Sequence, residues 1–556
     1  MIGFSDELTA PTPMALRRRG APVFATGGLV ASAHPLVSSS MLTTLAAGGN
    51  AVDAAIAGAL TAGVVLPAMT GLGGDLFALV ASPSDPEPVA VLSSGISPRG
   101  ASLDDMRAHA EGDGRLLPQH GPLSPSVPGF VAGMFALHER YGTRPMTELA
   151  APAIRYAADG FPVSPMVARW FPMREELLRR FPCSAAVFLP NGQRPRVGTV
   201  LKQPDLARSL AAIAKGGNDV FYRGEIARQI GAYLTANGGA MTAEDFADHE
   251  ATVTAPLSTT YRGHTVYQTG LPTQGFVNLE ALNIIANDDM GTLGVDRAPG
   301  IHLMAEALKL SFADRLAYAG DPTVVDAPLD RLLSVDWAAS RREQIDPTRA
   351  NPNVQPGILK PGDTTYLCVI DGDGLMVSLI CSISDAFGSG VVAGETGIVL
   401  NNRAGHCFSL EEGSPNCYAP GKKPMHTLNC FLVSDEHGTP VMVGGTPGGD
   451  GQPQWNLQML TGLLDAGLDV QEAAELPRWA VWPATYPAEL GNPVELRVEA
   501  QTDQATIDAL AELGHTVNVV PAWSMISGAQ LIARDPERHV LVDGSDPRVE
   551  GMAEGI

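Results

Sequence analysis

The sequence predicts a large mixed α/β (α+β) protein with a helix-rich first part and a sheet-rich last part. Three observations predict this class. An apolar, alanine-rich stretch fills residues 51–65, helical patterns broken by Gly and Pro recur over 135–350, and two β-rich runs begin at Thr364. With 556 residues, the chain is long enough for a multilayered core.

The first strong element covers residues 35–66, where Gly48-Gly49-Asn50 separates two helical stretches. Asn50 is expected to cap the second helix, and Asp53 in the first turn is favoured by the helix dipole. A tight glycine-rich turn at 70–75 and a buried strand at 76–80 follow. The middle of the chain is predicted to be mostly helical, with helices over 146–158, 203–215, 224–236 and 302–318.

The amino-acid composition changes near residues 355–363, which are polar and rich in Pro and Gly. The runs 364–370 and 375–383 come next, and the Asp-Gly turn 371–374 between them is typical of a β-hairpin. Further strands are predicted at 397–400, 427–433 and 440–444.

The composition excludes several classes of protein. The net charge is 37 − 60 = −23, which disfavours nucleic acid and anionic membranes as partners. No window approaches 18 apolar residues and the N-terminus does not resemble a signal peptide, so we expect a cytoplasmic protein. Six cysteines without a CxxC pair favour reduced structural thiols. A zinc site is the weaker alternative because its candidate ligands have unusual spacings, the candidates being His406, Cys407, Cys417, His426 and Cys430.

The common catalytic signatures GxSxG, GxxxxGK[ST] and HExxH are absent. His302 and Glu306 share a helix face without a second histidine, which is typical of a surface or salt-bridge pair. What remains is the segment Gly362-Asp363-Thr364-Thr365-Tyr366. By itself this segment is also typical of an ordinary strand start.

The context of this segment resembles the γ-glutamyltransferase family of N-terminal-nucleophile hydrolases nearly from end to end. The blocks that carry the resemblance are GGNAVDAAIAGALTAGVVLPAMTGLGGDLF at 48–77, SVPGFVAG at 126–133, FYRGEIA at 221–227, NGGAMTAEDF at 237–246, AEALKLSFADRLAYAGDP at 305–322, DTTYLCVIDGDG at 363–374, FGSGVVAGETGIVLNN at 387–402, GGTPGGDG at 444–451 and GSDPR at 544–548. The resemblance implies a four-layer αββα sandwich made from two pieces of one precursor, namely residues 1–363 and 364–556.

The family resemblance also implies that Thr364 cleaves the Asp363–Thr364 bond and then serves as an N-terminal nucleophile. A threonine hydroxyl is a weak nucleophile and needs an adjacent base. A backbone α-amine, with a pKa of about 7.7–8.0, can accept a proton near neutral pH, whereas the amide nitrogen before cleavage cannot. Cleavage would therefore create both the base and the free nucleophile.

Further catalytic positions follow from the same resemblance. Gly448 and Gly449 match the oxyanion-hole glycines, although Thr446-Pro447-Gly448-Gly449 is also compatible with an ordinary turn. Thr365 and Ser382 match hydroxyl positions that orient the nucleophile, and plain strand hydroxyls are the alternative for both.

The predicted substrate pocket departs from the family pattern. Ser94 stands where the family has an arginine that holds the substrate α-carboxylate. The other pocket positions fall at Ser384, Arg403, His406, His426 and Thr427. Losing one member of a carboxylate clamp costs about 2–5 kcal/mol, so ordinary γ-glutamyl recognition is doubtful. Arg403 and His426 offer cations or donors for a carboxylate, and solvated rim residues are the alternative.

The expected function is hydrolysis of a small amide that bears a carboxylate, either a γ-glutamyl compound such as glutathione or a shorter amide such as oxamate. The segment 409–424 occupies the lid position and is short, which favours an open site and hydrolysis over transfer. Another acyl specificity and an unprocessed, non-catalytic binding protein remain alternatives. No cofactor is expected, and the two cleavage products are expected to form a heterodimer, with a dimer of these as the next level.

Overall fold

The computed structural model describes residues 20–85, 87–112, 114–352, 363–483, 485–488 and 490–556. Strands from the first and last thirds of the chain form most of its sheets. In chain order, the strands are β1 Phe24–Ala25, β2 Gly28–Ser32, β3 Asp75–Ala81, β4 Val89–Ser93, β5 Phe161–Pro162, β6 Val200–Leu201, β7 Thr252–Thr254, β8 Leu257–Tyr261, β9 His264–Gln268, β10 Asp363–Asp371, β11 Met376–Ser384, β12 Cys430–Ser434, β13 Pro440–Gly445, β14 Trp479–Trp482, β15 Glu495–Glu499, β16 Val517–Val520, β17 Gln530–Asp535, β18 Val540–Ser545 and β19 Met552–Gly555.

Helices dominate the region before residue 343. In chain order, the helices are α1 Pro35–Ala46, α2 Ala51–Val65, α3 Leu103–Ala108, α4 Phe130–Tyr141, α5 Met146–Leu149, α6 Ala151–Asp159, α7 Pro165–Ala168, α8 Trp170–Arg180, α9 Pro182–Phe188, α10 Pro204–Gly216, α11 Asn218–Tyr222, α12 Glu225–Ala236, α13 Ala243–Ala247, α14 Gly275–Ile285, α15 Met290–Leu293, α16 Ala298–Tyr318, α17 Leu329–Leu332, α18 Val335–Arg342, α19 Arg403–Cys407, α20 Gly451–Leu464, α21 Val470–Glu475 and α22 Gln504–Glu512. Across the parts of the chain described here, no helix has the length and apolar character needed to span a bilayer.

Two seven-stranded sheets lie face to face. Sheet A has the order β19-β2-β10-β11-β3-β4-β7, and sheet B has the order β1-β18-β17-β13-β12-β9-β8. Alternate residues of each strand point to opposite faces. Tyr366 and Cys368 of sheet A therefore join Leu432 and Ile532 of sheet B in the core between the sheets.

Helices cover the outer face of each sheet. Leu367 and Val369 of β10 pack against the cluster that contains α1, α2 and α4, whereas Phe431 and Val433 of β12 pack against α14, α16 and α20. The order of layers is helix, sheet, sheet, helix. The predicted four-layer αββα sandwich is confirmed.

Local sequence signals explain several of these elements. Asn50 and Asp53 form a capping box at the start of α2, and all but one of the residues in α2 are buried, as its apolar sequence predicts. β10 and β11 pair antiparallel across the predicted Asp-Gly turn. The predicted helices in the middle of the chain are confirmed within a few residues, as α5 with α6, α10, α12 and α16.

The strand predicted at 397–400 is wrong. Val399 and Leu400 form only isolated bridges, to Val392 and Gly73 respectively. The turn around Gly397, which has φ +69°, bends this segment so that it cannot extend a sheet. The strand predicted to begin at 427 begins instead at Cys430.

Candidate active site

Thr364 lies near the start of β10, a central strand of sheet A. Asp363 pairs with Ser384 and Thr365 pairs with Cys381, and the register shifts between these two pairs. Between them, the single residue Thr364 of β10 faces two residues of β11, Ser382 and Ile383, so Thr364 lies opposite a bulge in β11. The bulge interrupts the regular ladder at this point, which suits a nucleophile that must meet a substrate.

Ser382 is the hydroxyl residue across from Thr364. Its Oγ accepts a hydrogen bond from the backbone N–H of Ser384 at 2.8 Å and one from Arg403 Nη2 at 3.3 Å. On its other side, Ser382 pairs with Asp75 at the start of β3. The structure thus places Thr364, Thr365, Ser382 and Asp75 at one end of three adjacent strands, with the side chains of all four almost fully buried.

Asp75, Arg403 and His426 form a buried ionic cluster next to Ser382. Arg403 Nε and His426 Nδ1 lie 3.6 and 3.8 Å from Asp75 Oδ2, too far for direct hydrogen bonds. Burial raises the pKa of Asp75 to about 7, and the charge of Arg403 opposes this rise. The predicted pocket residues Arg403 and His426 are therefore close together, and Arg403 reaches the predicted catalytic serine.

His426 is held in its neutral form. Burial, reinforced by the positive charges of Arg403, Lys423 and Arg315, lowers the pKa of His426 well below its usual range. Of the two expected roles of His426, cation or hydrogen-bond donor, the lowered pKa favours the neutral donor. Its ring nitrogens can instead donate and accept hydrogen bonds, and its edge contacts the ring of Phe77 with centroids 5.0 Å apart.

Ser384, His406 and Thr427 are linked through Tyr486. Ser384 Oγ lies 3.0 Å from His406 Nδ1, and the His406 ring stacks on Tyr486 with centroids 4.2 Å apart and planes 8° apart. The Tyr486 hydroxyl donates to Thr427 Oγ1 at 3.1 Å. Ser384 adopts φ +86°, which is costly for a residue with a side chain and often marks a functional site.

The turn that contains Gly448 and Gly449 leads into α20. These residues have φ +128° and +57°, which are conformations that favour glycine. A Cβ at Gly448 would lie 2.1 Å from the Trp455 ring, so this position has no room for a side chain. Gln274 Nε2 donates to the Gly449 carbonyl at 3.0 Å and fixes the turn from the opposite side. Such a rigid turn is suited to present backbone N–H groups to an oxyanion.

Ser94 directly follows β4, two strands from β11 at the same end of sheet A. It is buried, and its backbone lies close to Gly129. Because Ser94 stands where the family has an arginine, this position carries no positive charge. Among the described residues, Arg403, Lys423 and Arg315 supply the positive charges that surround His426.

The expectation of an open site is wrong for the intact chain. Thr364 retains only 1% of its accessible surface. The segment 409–424 is packed rather than loose, because Tyr418 is buried against Phe408 and its hydroxyl donates to the Ala101 carbonyl. A cavity of about 450 Å³ lies beside this segment, with Cys407, Met425 and Tyr486 in its wall.

The cysteines are all free thiols, as predicted. Cys430 Sγ donates to the Ser378 carbonyl at 3.4 Å, and Cys407 Sγ lies 3.7 Å from Arg403 Nη1. Within the described ranges, the zinc alternative around residues 406–430 does not form a group of converging ligands. These thiols have separate polar partners instead of a shared ligand position.

His302 and Glu306 converge with His515, and all three are buried, so of the expected surface or salt-bridge pair the surface alternative is wrong. The Lys309 ammonium donates to Glu306 at 2.6 Å, and His302 contacts His515 at 2.8 Å. An ammonium group at the carboxylate opposes a metal cation. This cluster is therefore a buried salt bridge and a histidine pair that connects α16 to the segment after α22.

Asp75 was missed by sequence reasoning, as were Tyr486 and Gln274. The signal for Asp75 was an acidic residue between a glycine-rich turn and the apolar run 76–81. A charge at the start of a buried strand is rarely left there without a function. Tyr486 and Gln274 gave no local signal, because they reach the site only through long-range folding.

Two stacked sheets between helical layers, with a buried threonine in a central strand opposite a bulge in the neighbouring strand, define an N-terminal-nucleophile hydrolase fold. The model of the family described as Gamma-glutamyltranspeptidase matches residues 38–556, and the chain belongs to that family. The resemblance inferred from sequence motifs is confirmed.

Relatives in this family carry different names. The chain is 38% identical over 535 residues to the glutathione hydrolase-like YwrD proenzyme of Bacillus subtilis (strain 168), covering 96% of this chain and 99% of that protein. It is 36% identical over 540 residues to the oxamate amidohydrolase proenzyme of Klebsiella pneumoniae subsp. pneumoniae, covering 95% and 98%. The structure of cephalosporin acylase from Bacillus halodurans matches with a TM-score of 0.88 and 34% identity, covering 100% of this chain and 99% of that one. The chain is therefore an amide hydrolase of γ-glutamyltransferase or acylase type.

Proposed function

We propose that this protein is an autoprocessing threonine amidohydrolase that acts on a small amide bearing a carboxylate. The observation that carries the proposal is the position of Thr364, opposite the β11 bulge that contains Ser382, within a chain that matches the family over 38–556. The relatives named above are proenzymes, which supports activation by cleavage.

Self-cleavage begins when Thr364 Oγ1 attacks the carbonyl carbon of Asp363. The C–N bond breaks, the nitrogen takes up the hydroxyl proton, and an ester joins Asp363 to Thr364 Oγ1. Water then hydrolyses the ester, which leaves a carboxylate on Asp363 and a free α-amine on Thr364. The products are residues 1–363 and 364–556, the second with 556 − 363 = 193 residues.

Turnover uses the new α-amine as the base. The amine takes the proton of Oγ1 as the oxygen attacks the substrate carbonyl, and it returns that proton to the leaving amine. Backbone N–H groups of Gly448 and Gly449 stabilise the oxyanion, a contribution of about 2.7–4 kcal/mol for one donor. Water hydrolyses the acyl-enzyme by the same steps.

The charges around the pocket favour an anionic substrate. The protein as a whole carries a net charge of −23, yet Arg403, Lys423 and Arg315 surround His426, with Asp75 and Asp450 as the nearby acids. Because Ser94 removes the usual carboxylate clamp, a short acid amide such as oxamate fits this pocket better than a γ-glutamyl group. A larger acyl group, as the cephalosporin acylase neighbour suggests, is the second candidate.

A denaturing gel tests self-cleavage. The purified protein should give two bands in place of one of 58.2 kDa, and Thr364→Ala should remain whole. Thr254→Ala, at an exposed position of the edge strand β7, is the matched control and should be cleaved normally. An intact chain with full amidase activity would contradict the proposal.

The substrate is tested by comparing ammonia release from oxamate with p-nitroaniline release from γ-glutamyl-p-nitroanilide. Activity on oxamate alone would remove the γ-glutamyl option. Activity on the anilide alone would show that Ser94 is compensated elsewhere. A cephalosporin acyl amide completes the set, and activity confined to it would favour the acylase alternative.

A further inference from the structure

Tyr486 belongs both to the predicted substrate pocket and to the wall of the cavity of about 450 Å³ beside the segment 409–424. Its ring stacks on His406 with centroids 4.2 Å apart, and its hydroxyl donates to Thr427 Oγ1 at 3.1 Å. Both of these partners are predicted pocket positions. The same tyrosine lines the cavity, so its side chain contributes to the walls of both spaces.

Tyr486 is held through its backbone as well as through its ring. The preceding Thr485 donates twice to Asp450 Oδ2, from its backbone N–H at 2.7 Å and from its hydroxyl at 2.6 Å. Arg315 Nη1 donates to the other Asp450 oxygen at 2.5 Å. Because Asp450 directly follows Gly449, these bonds attach the tyrosine to the turn with the predicted oxyanion-hole glycines. Moving the ring aside for a ligand would break several of these hydrogen bonds.

The stack of His406 and Tyr486 lies on the acyl side of the proposed nucleophile. Ser384 Oγ lies 3.0 Å from His406 Nδ1, and the backbone of Ser384 pairs with that of Asp363. Asp363 supplies the acyl group in the proposed self-cleavage. We therefore expect the acyl group of a substrate on this same side of Thr364.

We propose that Tyr486 is a specificity-determining residue whose ring closes the acyl pocket off from the cavity and so confines the substrate to a short acyl group. The substrate class selected is the monoamide of a short dicarboxylic acid, of which oxamate is the shortest. A longer chain needs the space that the ring fills. This inference rests on the proposed function, because it takes Thr364 as the nucleophile and acid amides as substrates.

The cavity wall suits the methylene groups of a longer chain. It includes the uncharged side chains of Met425, Pro487 and Leu490. Arg315 and Glu411 also line the cavity, so the wall carries charges of both signs. Removal of the tyrosine ring should extend the acyl pocket into this space, where apolar side chains cover the added length of the substrate.

The experiment measures ammonia release from oxamate, malonamate, succinamate and glutaramate, in which the chain lengthens by one methylene at each step. For the unmodified protein, kcat/KM should fall about 10-fold or more at each step, the lower end of what a pocket discriminates per methylene. Tyr486→Ala should lower the ratio of kcat/KM for oxamate to kcat/KM for succinamate by at least about 10-fold. Tyr486→Phe keeps the ring and loses the hydrogen bond to Thr427, so it should preserve the steep preference for oxamate.

Two further variants control for the loss of packing. Tyr486→Leu also lacks the ring, serves if Tyr486→Ala folds poorly, and should shift the length preference less but in the same direction. Tyr156→Ala removes a half-buried ring from α6 in the outer helical layer. It should lower the melting temperature without altering the length preference. An unchanged length preference in both ring-deleted variants of Tyr486 would overturn the proposal.

The leaving amine is the other group that could occupy the cavity. N-butyloxamate tests this case, because it has the acyl group of oxamate and a longer leaving amine. A gain of Tyr486→Ala on N-butyloxamate, with the acyl-length preference unchanged, would also overturn the proposal. No hydrolysis of any of these amides by the unmodified protein or its variants would refute the proposed function itself, and this inference with it.

Discussion

Two buried ionic clusters in this molecule differ in how completely their charged side chains are hydrogen-bonded. In the cluster of Arg478, Glu499, Asp546 and Arg548, each acid has direct partners. Arg548 donates to Asp546 at 2.9 Å and to Glu499 at 2.5 Å. In the cluster of Asp75, Arg403 and His426, both Asp75 oxygens and both His426 nitrogens have no hydrogen-bond partner among the described residues.

The difference indicates a structural role for the first cluster, and for the second it fits the proposed site. Buried polar groups are normally fully bonded, because each unmade hydrogen bond costs free energy. The bonded cluster supports the turn that contains Gly448 and Gly449, since Ser527 Oγ donates to Asp546 at 2.7 Å and lies 3.3 Å from Thr446 Oγ1. The other cluster keeps its hydrogen-bonding capacity beside Ser382, where the proposed reaction would take place.

The largest expected effect comes from breaking the bonded cluster. Arg548→Met should destabilise the fold by about 3–5 kcal/mol, because it leaves Asp546 and Glu499 as buried charges with fewer partners. Thermal unfolding of the purified protein measures this loss. Arg538→Met, which removes a half-exposed arginine in the same part of the chain, is the control and should melt near the unmodified protein. Equal melting of both variants would contradict the structural role.

Asp75→Asn should have the opposite effect on stability. Because the folded state raises the pKa of Asp75 to about 7, ionisation of this carboxyl lowers the free energy of unfolding as the pH rises from about 4 to 7. The variant has no carboxyl to ionise at this position. Its free energy of unfolding should therefore exceed that of the unmodified protein by a margin that grows over this range and reaches about 2–4 kcal/mol at pH 8. Melting curves at pH 5 and pH 8 check the trend. A variant that is less stable at pH 8 than the unmodified protein would show that Asp75 is a structural counterion.

The smallest effect is expected on the surface. Arg228 and Glu225 form an ion pair on α12 with both side chains more than 60% exposed. Solvent screening and side-chain entropy cancel most of the attraction in such a pair. Arg228→Ala should leave the melting temperature and the amidase rate unchanged within error. A clear drop in melting temperature would mean that exposed pairs in this acidic protein matter more than their geometry indicates.

The sequence predicted much of the fold because its signals were local. The Asp-Gly turn fixed the β10–β11 hairpin, and the apolar run of α2 with its Asn50 cap gave a buried helix. The strand predicted at 397–400 failed because β-branched residues there looked extended, whereas positive φ at Gly394 and Gly397 breaks the segment into a turn. Local propensity does not reveal such a bend.

The site was predicted through motif resemblance more than through residue chemistry. Thr364, Ser382 and Arg403 lie in one region, and the burial of Arg403 with its contact to Ser382 contradicts the alternative of a solvated rim residue. The neutral state of His426 depends on burial and on cations from distant elements, so no sequence window predicts it. Asp75 was assigned to a turn, although its position at a strand start places it next to Ser382.

The strand orders determine how firmly residues 1–363 and 364–556 would stay associated after the proposed cleavage before Thr364. Sheet A joins strands from the two sides of that bond at three seams, β19 with β2, β2 with β10, and β11 with β3. Sheet B does so at two more, β1 with β18 and β12 with β9. Strands of the two polypeptides would alternate within both sheets, so the polypeptides could separate only if both sheets lost their strand pairing. We therefore expect them to co-purify through every step that preserves the fold.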